Sequence, residues 1–135
     1  MRLFNWESRL SSYITRVASE GFALGTHDCA LFAAGGVEAV TGTDPAADWR
    51  GKYNTMASGL RLVRTAGYED HVVAAAALHP QIAAGDAMPG DLAVVPTEEH
   101  RLALGIVQGS LVYVLSRDRI GLVPSGAAVK FLGVR

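Results

Sequence analysis

Apolar residues recur at helical spacing near the start of the chain, at Trp6, Leu10, Tyr13, Ile14 and Val17. They mark one stripe of an amphipathic helix. Asn5 stands where an N-cap belongs, and Gly21 where the helix can end. The next segment is different: across residues 30–40 almost every position is apolar. That pattern predicts a central helix buried on most sides, with Asp28 as its N-cap and Gly42 as its exit. Gly35-Gly36 inside it weakens the helix, so the pair predicts close approach of another element.

Residues 43–53 read as an ordered loop, with Asp44-Pro45 as a turn signal. Thr55 caps a third predicted helix that runs to Thr65 and closes at Gly67. An alanine-rich fourth helix over residues 69–78 is stopped by His79-Pro80. After Pro89-Gly90 the pattern changes to short β-like runs at residues 91–95, 102–108, 111–115, 120–123 and 128–134. Helices first and strands second predict an α+β fold rather than an alternating one. We expect one domain over residues 1–135: N-terminal helices packed on a small, curved antiparallel sheet, with the Cys29 helix lying across it.

Composition narrows the function. Half of the residues are hydrophobic, enough for a core without staples. The net charge of −1 carries no basic footprint for nucleic acid. Glu7 and Arg9 interrupt the stretch that a signal peptide would need, and the longest apolar run, residues 72–78, is far too short to span a bilayer. The expectation is synthesis in the cytoplasm without an export signal and without membrane insertion; a role outside the cell would need another carrier. One cysteine allows neither an intrachain disulfide nor a cysteine-rich zinc site. The four histidines include no i, i+4 pair and no His-Glu-x-x-His run, so no metal and no cofactor is expected.

Cys29 is the chemically distinctive residue. At the first turn of a helix, unpaired N–H groups and the helix dipole favour a thiolate. A thiolate is the nucleophile of acyl transfer, and the same donors can stabilise an oxyanion. Asp28 opposes the thiolate unless its charge is taken up in capping. The plainer reading is that Cys29 is a small buried hydrophobe. Two histidines are candidate bases. His100 lies in the polar loop of residues 96–100, where Glu99 could orient it. His27 stands two residues before Cys29 and suits structural work at the turn. His71 and His79 read as surface residues, and Asp86 and Asp91 as turn formers. Asp28, Trp49 and Tyr53 are candidate groove residues beside Cys29; Trp49 and Tyr53 could equally pin the long loop down.

The run Gly25-Thr26-His27-Asp28-Cys29, with its apolar helix ending Ala39-Val40-Thr41-Gly42, resembles the nucleophile segment of NlpC-type cell-wall peptidases, which have a papain-like fold. Pro89-Gly90-Asp91-Leu92 resembles their Pro-Gly-Asp-Leu strand, and Leu104-Gly105-Ile106-Val107 the strand after it. A closer resemblance is to short proteins of phage and prophage tail regions, through Gly-x-His-Asp-Cys, Asp44-Pro45 and Arg50-Gly51-Lys52-Tyr53. The resemblance implies a histidine base opening the second of those strands, and Ala103 stands there instead. The next strand offers no orienting group. Two readings follow. In the first, the chain is a tail-associated protein, structural or weakly active, whose partners are phage tail proteins in the virion. In the second, it is an active cysteine peptidase or amidase cleaving peptidoglycan peptides, with Cys29 as nucleophile and His100 or His27 as base. A thiol-dependent sensor or transferase is a third, weaker option.

Overall fold

Helix α1 (Trp6–Val17) forms on the predicted stripe and buries Leu10, Tyr13 and Val17. The computed structural model describes residues 1–98 and 101–135 of the chain. Asn5 makes no side-chain cap, and the helix ends at Val17 rather than at Gly21. Gly21 serves a different need, since a Cβ there would lie 2.8 Å from the Arg117 carbonyl.

Helix α2 (Cys29–Thr41) starts where the pattern places it. The Asp28 carboxylate accepts from the Leu31 N–H, and Gly42 closes the helix in a left-handed conformation. The Gly35-Gly36 pair is explained by two neighbours. A Cβ on Gly35 would lie 2.2 Å from the Tyr13 hydroxyl, and one on Gly36 would lie 2.5 Å from Ile106. Small residues thus let α1 press on one side of α2 and the sheet on the other. Tyr13 adds a hydrogen bond of 2.8 Å to the Phe32 carbonyl.

Helix α3 (Met56–Thr65) is started by a reciprocal Thr55–Ser58 capping box and buries no residue. Helix α4 (His71–Leu78) begins later than predicted, because Asp70 rather than an earlier residue caps it by accepting from the Val73 N–H.

The strands are β1 (Gln81–Ile82), β2 (Leu92–Pro96), β3 (Leu102–Val107), β4 (Leu111–Leu115), β5 (Ile120–Pro124) and β6 (Lys130–Leu132). They form one antiparallel sheet in the order β1-β6-β2-β3-β4-β5. The fold is α+β, with four N-terminal helices on a six-stranded sheet among the described residues. Strand β1 is too short to leave a period in the sequence. Strand β6 is shorter than predicted: it pairs with β1 and β2 only within Lys130–Leu132.

One face of the sheet presents Leu92, Val94, Leu104, Ile106 and Leu132 to α1 and α2. The other buries Ala93, Val95, Val107, Val112 and Phe131 in a cluster that contains no helical residue. That face is covered by Ala87 and Ala128, which follow two 3₁₀ turns, together with Ile82, Val114 and Val123 from other strands.

Asp91 is fully buried. It holds the turn before β2 by accepting from the Met88 N–H at 2.9 Å, as a turn former should. Its larger role was not legible in sequence. It also accepts from the Val134 N–H and from Arg2, each at 2.9 Å, and from Arg135. Both ends of the chain are thereby tied to the Pro-Gly-Asp turn. Replacing Asp91 with Ala leaves the part-buried Arg2 without its counter-charge. We expect a loss of about 3–5 kcal/mol in chemical denaturation, the usual cost of breaking a buried ion pair from one side. Asp91→Asn, which keeps some of the acceptors, should lose less.

Candidate active site

The turn before α2 is built from backbone bonds. Ala23 and His27 exchange hydrogen bonds of 2.8 and 2.7 Å. Gly25 sits at φ +83°, and a Cβ on it would lie 1.8 Å from the Tyr53 carbonyl, so only glycine fits. Its N–H donates to Asp28 Oδ2 at 3.1 Å, and its carbonyl accepts from the Gly51 N–H at 2.8 Å. The 43–53 loop is thus stitched onto the turn. Trp49 and Tyr53 pack against Leu31, Ala34 and Ala46, and the Tyr53 hydroxyl donates to Asp28 Oδ2. Of the two roles open to these aromatics, pinning the loop is the one these contacts display.

Cys29 is the first residue of α2 and is partly exposed. The group facing it is His71, the first residue of α4, with Nε2 3.7 Å from Sγ. This corrects the reading of His71 as a surface residue: its ring is half-buried against the thiol. Capping explains the convergence. Asp28 and Asp70 each fix a helix start, and the next side chain in each case enters the site.

The meeting point is an open stretch of β3. Hydrogen bonds from Val107 to Asp91 and from Thr97 to Arg101 fix which β3 residues face β2. By alternation, the polar groups of Leu102, Leu104 and Ile106 point the other way. Strand β4 pairs with Ile106 and Val107 and goes no further. The two helix starts occupy the stretch it leaves. The Leu104 backbone bears on the Cys29 sulfur, and the Leu102 backbone on the His71 ring.

Burial pushes the Cys29 thiol up from its ordinary value. The Leu104 backbone opposes that rise, the nearby Asp28 charge adds to it, and the N–H groups of Ala30 and Cys29 oppose it again. Burial pushes His71 down, against the pull of Asp70, Asp28 and Leu102. Both shifts favour a neutral thiol beside a neutral imidazole.

The other histidines lie elsewhere. His27 is 8% exposed, meets Phe32 edge-on and turns Nδ1 toward Glu20 at 3.8 Å. It lines a groove of about 530 Å³ between α1 and α2 that includes neither Cys29 nor His71. His79 is half-buried rather than on the surface, and burial lowers it too, against Asp91. His100 and Glu99 lie outside the described residues. Ala103 alternates with Leu104, which packs toward α2, so its side chain points to the opposite face. A histidine at 103 would face away from the α2 side of the strand. Among the described residues, no three His, Cys, Asp or Glu side chains gather closely enough to hold a metal ion. No described helix is long and apolar enough to cross a membrane.

The chain belongs to the family described as a domain of unknown function, DUF6950, whose model spans residues 1–134. No curated protein and no solved structure matches it. Within this DUF6950 chain, Asp70-His71 repeats the Asp28-Cys29 device, and that repetition is the sequence signal that marks His71.

The two lowered histidines make stability depend on pH. Their ordinary value is 6.5, and the folded values lie below it. As pH falls through that ordinary value the unfolded chain takes up protons first, so stability is full above it and is lost down to the folded values. Each histidine steepens the loss by at most about 1.4 kcal/mol per pH unit. Denaturation midpoints followed from neutral to about pH 5 should fall less steeply in His71→Gln than in wild type. Equal slopes would contradict the buried neutral ring.

Proposed function

We propose that this protein is a cysteine hydrolase of peptide amide bonds, with Cys29 as nucleophile and His71 as general base. The observation that carries the reading is the 3.7 Å separation of Cys29 Sγ from His71 Nε2, at two capped helix starts. The absence of a base at Ala103 weighed against activity in the sequence; a histidine supplied by α4 removes that objection.

The neutral resting pair sets the order of events. A neutral ring with its proton on Nδ1 presents an unprotonated Nε2 to the thiol. His71 takes the thiol proton as sulfur attacks the carbonyl carbon. The oxyanion forms beside the N–H groups at the start of α2. The amine leaves with the proton that His71 holds, and a thioester remains on Cys29. Water, losing a proton to His71, then attacks the thioester, and the carboxylic acid departs as the thiol regains a proton. The NlpC-type resemblance of the Asp28-Cys29 segment and the Pro89-Gly90-Asp91-Leu92 strand supports peptidoglycan peptides as the substrate. The closer resemblance supports a setting in phage or prophage tails.

A non-catalytic tail component is the second reading. It is favoured by α3, which buries no residue and leaves Met56 and Leu60 exposed to a neighbouring protein.

Muropeptide hydrolysis by the purified protein decides between them. Cys29→Ala should abolish turnover, and His71→Ala should lower it by about 10²-fold or more. His27→Ala and His100→Ala should retain most activity, and Ala103→His should not replace His71. A His71→Ala protein as active as wild type would move the base elsewhere. Wild type as inert as Cys29→Ala would favour the structural reading.

A further inference from the structure

Cys29 and the Asp28 carboxylate are chain neighbours, yet the reading above asks Cys29 to lose a proton. The groups that bear on the sulfur are Asp28 at the cap of α2, His71 on α4, the Leu104 backbone on β3, and Tyr53 from the loop. Asp28 is 5% exposed, so solvent does little to weaken its charge. Its Oδ1 is occupied by the Leu31 N–H at 3.0 Å. Its Oδ2 takes the Gly25 N–H at 3.1 Å and the Tyr53 hydroxyl. The helix cap and the turn supply backbone donors fixed by the chain. Among the described residues, Tyr53 is the one donor that reaches Asp28 from a side chain.

We infer that Tyr53 is a positioning residue for the Cys29 nucleophile, acting through Asp28: its hydroxyl holds the carboxylate on the turn and draws its charge away from the sulfur. The inference deepens the hydrolase reading and rests on it for its purpose. Its physical content stands on the hydrogen bonds alone. Without the hydroxyl, more of the carboxylate's charge faces the sulfur, and the thiolate becomes harder to form. The ring is held from behind by α3. A Cβ on Gly59 would lie 2.9 Å from Tyr53 Cδ2, so Gly59 is the place where the ring can be displaced without touching its hydroxyl.

The test is the pH profile of Cys29 alkylation by iodoacetamide, which requires neither substrate nor turnover. Tyr53→Phe should slow alkylation at neutral pH by roughly three- to tenfold, since one unit of thiol shift is tenfold. The plateau rate at alkaline pH should not change. Gly59→Ala, which adds a methyl to a helix and removes no charge, should shift the profile in the same direction by less. In an Asp28→Asn background Tyr53→Phe should have no effect on the profile. If Tyr53→Phe folds poorly, Gly59→Ala and its Asp28→Asn double variant carry the same comparison. A folded Tyr53→Phe or Gly59→Ala protein with the wild-type profile would overturn the inference, as would a shift that persists without the Asp28 charge. Inactivity on muropeptides would leave these rates unchanged, so failure of the hydrolase reading is separable from failure of this one.

Discussion

The Asp28 carboxylate decides where the sulfur sits. It is buried, and a buried carboxylate is costly unless its oxygens are satisfied. Three donors meet it from three separate pieces of chain: Leu31 in α2, Gly25 in the turn, and Tyr53 at the end of the long loop. The positive end of α2 adds to their effect. Because Asp28 is fixed as the cap, Cys29 has no choice but to be the first helical residue. The same contacts close the loop over the turn, so site and scaffold are set by one ionised group. Helix capping alone is typically worth about 1 kcal/mol. Here the group also adds to the Gly51–Gly25 bond and the Trp49 and Tyr53 packing that bring these segments together.

A second buried carboxylate does the corresponding work for the sheet. Asp91 draws Arg2 and Arg135 onto the turn before β2 and so closes the chain on itself. It also fixes the register, because its carbonyl accepts from the Val107 N–H at the start of the β2–β3 ladder. That register turns the polar groups of Leu102 and Leu104 away from β2. Strand β4 then leaves β3 after Ile106, and the free stretch receives the starts of α2 and α4. An edge left unpaired is ordinarily a liability. In this fold the sulfur and the imidazole occupy it.

Legibility in sequence followed the range of the interaction. The apolar run of α2, its Asp28 cap, the Thr55 cap and the alternating strands were readable because each depends on near neighbours. Gly35-Gly36 announced a close approach but not what approached; Tyr13 and Ile106 are distant in sequence. The end of α1 and the start of α4 were misplaced by a few residues because several polar residues compete as caps. Asp91 was read as a local turn former, since nothing near it in sequence shows that two arginines from opposite ends converge there. His71 was missed for a similar reason. It lies 42 residues from Cys29, beside an alanine-rich helix that looks like packing. The resemblance points to Ala103, a position whose side chain leaves the opposite face of β3. The useful signal was chemical rather than positional, namely a second Asp followed at once by a side chain able to exchange a proton.

The resting state of the Cys29–His71 pair distinguishes it from a preformed ion pair. In a solvated site, imidazolium and thiolate stabilise one another by Coulomb attraction. Here burial acts on both groups in the direction of neutrality, and Asp28 adds to the effect at sulfur. A neutral thiol is a poor target for oxidants and stray electrophiles, because reactivity follows thiolate character. Under the proposed hydrolase function its nucleophilicity would arise during attack, as the proton moves to Nε2 while the bond to carbon forms. Stabilisation of the developing oxyanion by the donors of α2 would then drive the transfer. Under the proposed hydrolase function, a site arranged in this way would discriminate by the transition state rather than by thiol reactivity, because an acyl oxygen reaching those donors would be needed to draw the proton across 3.7 Å.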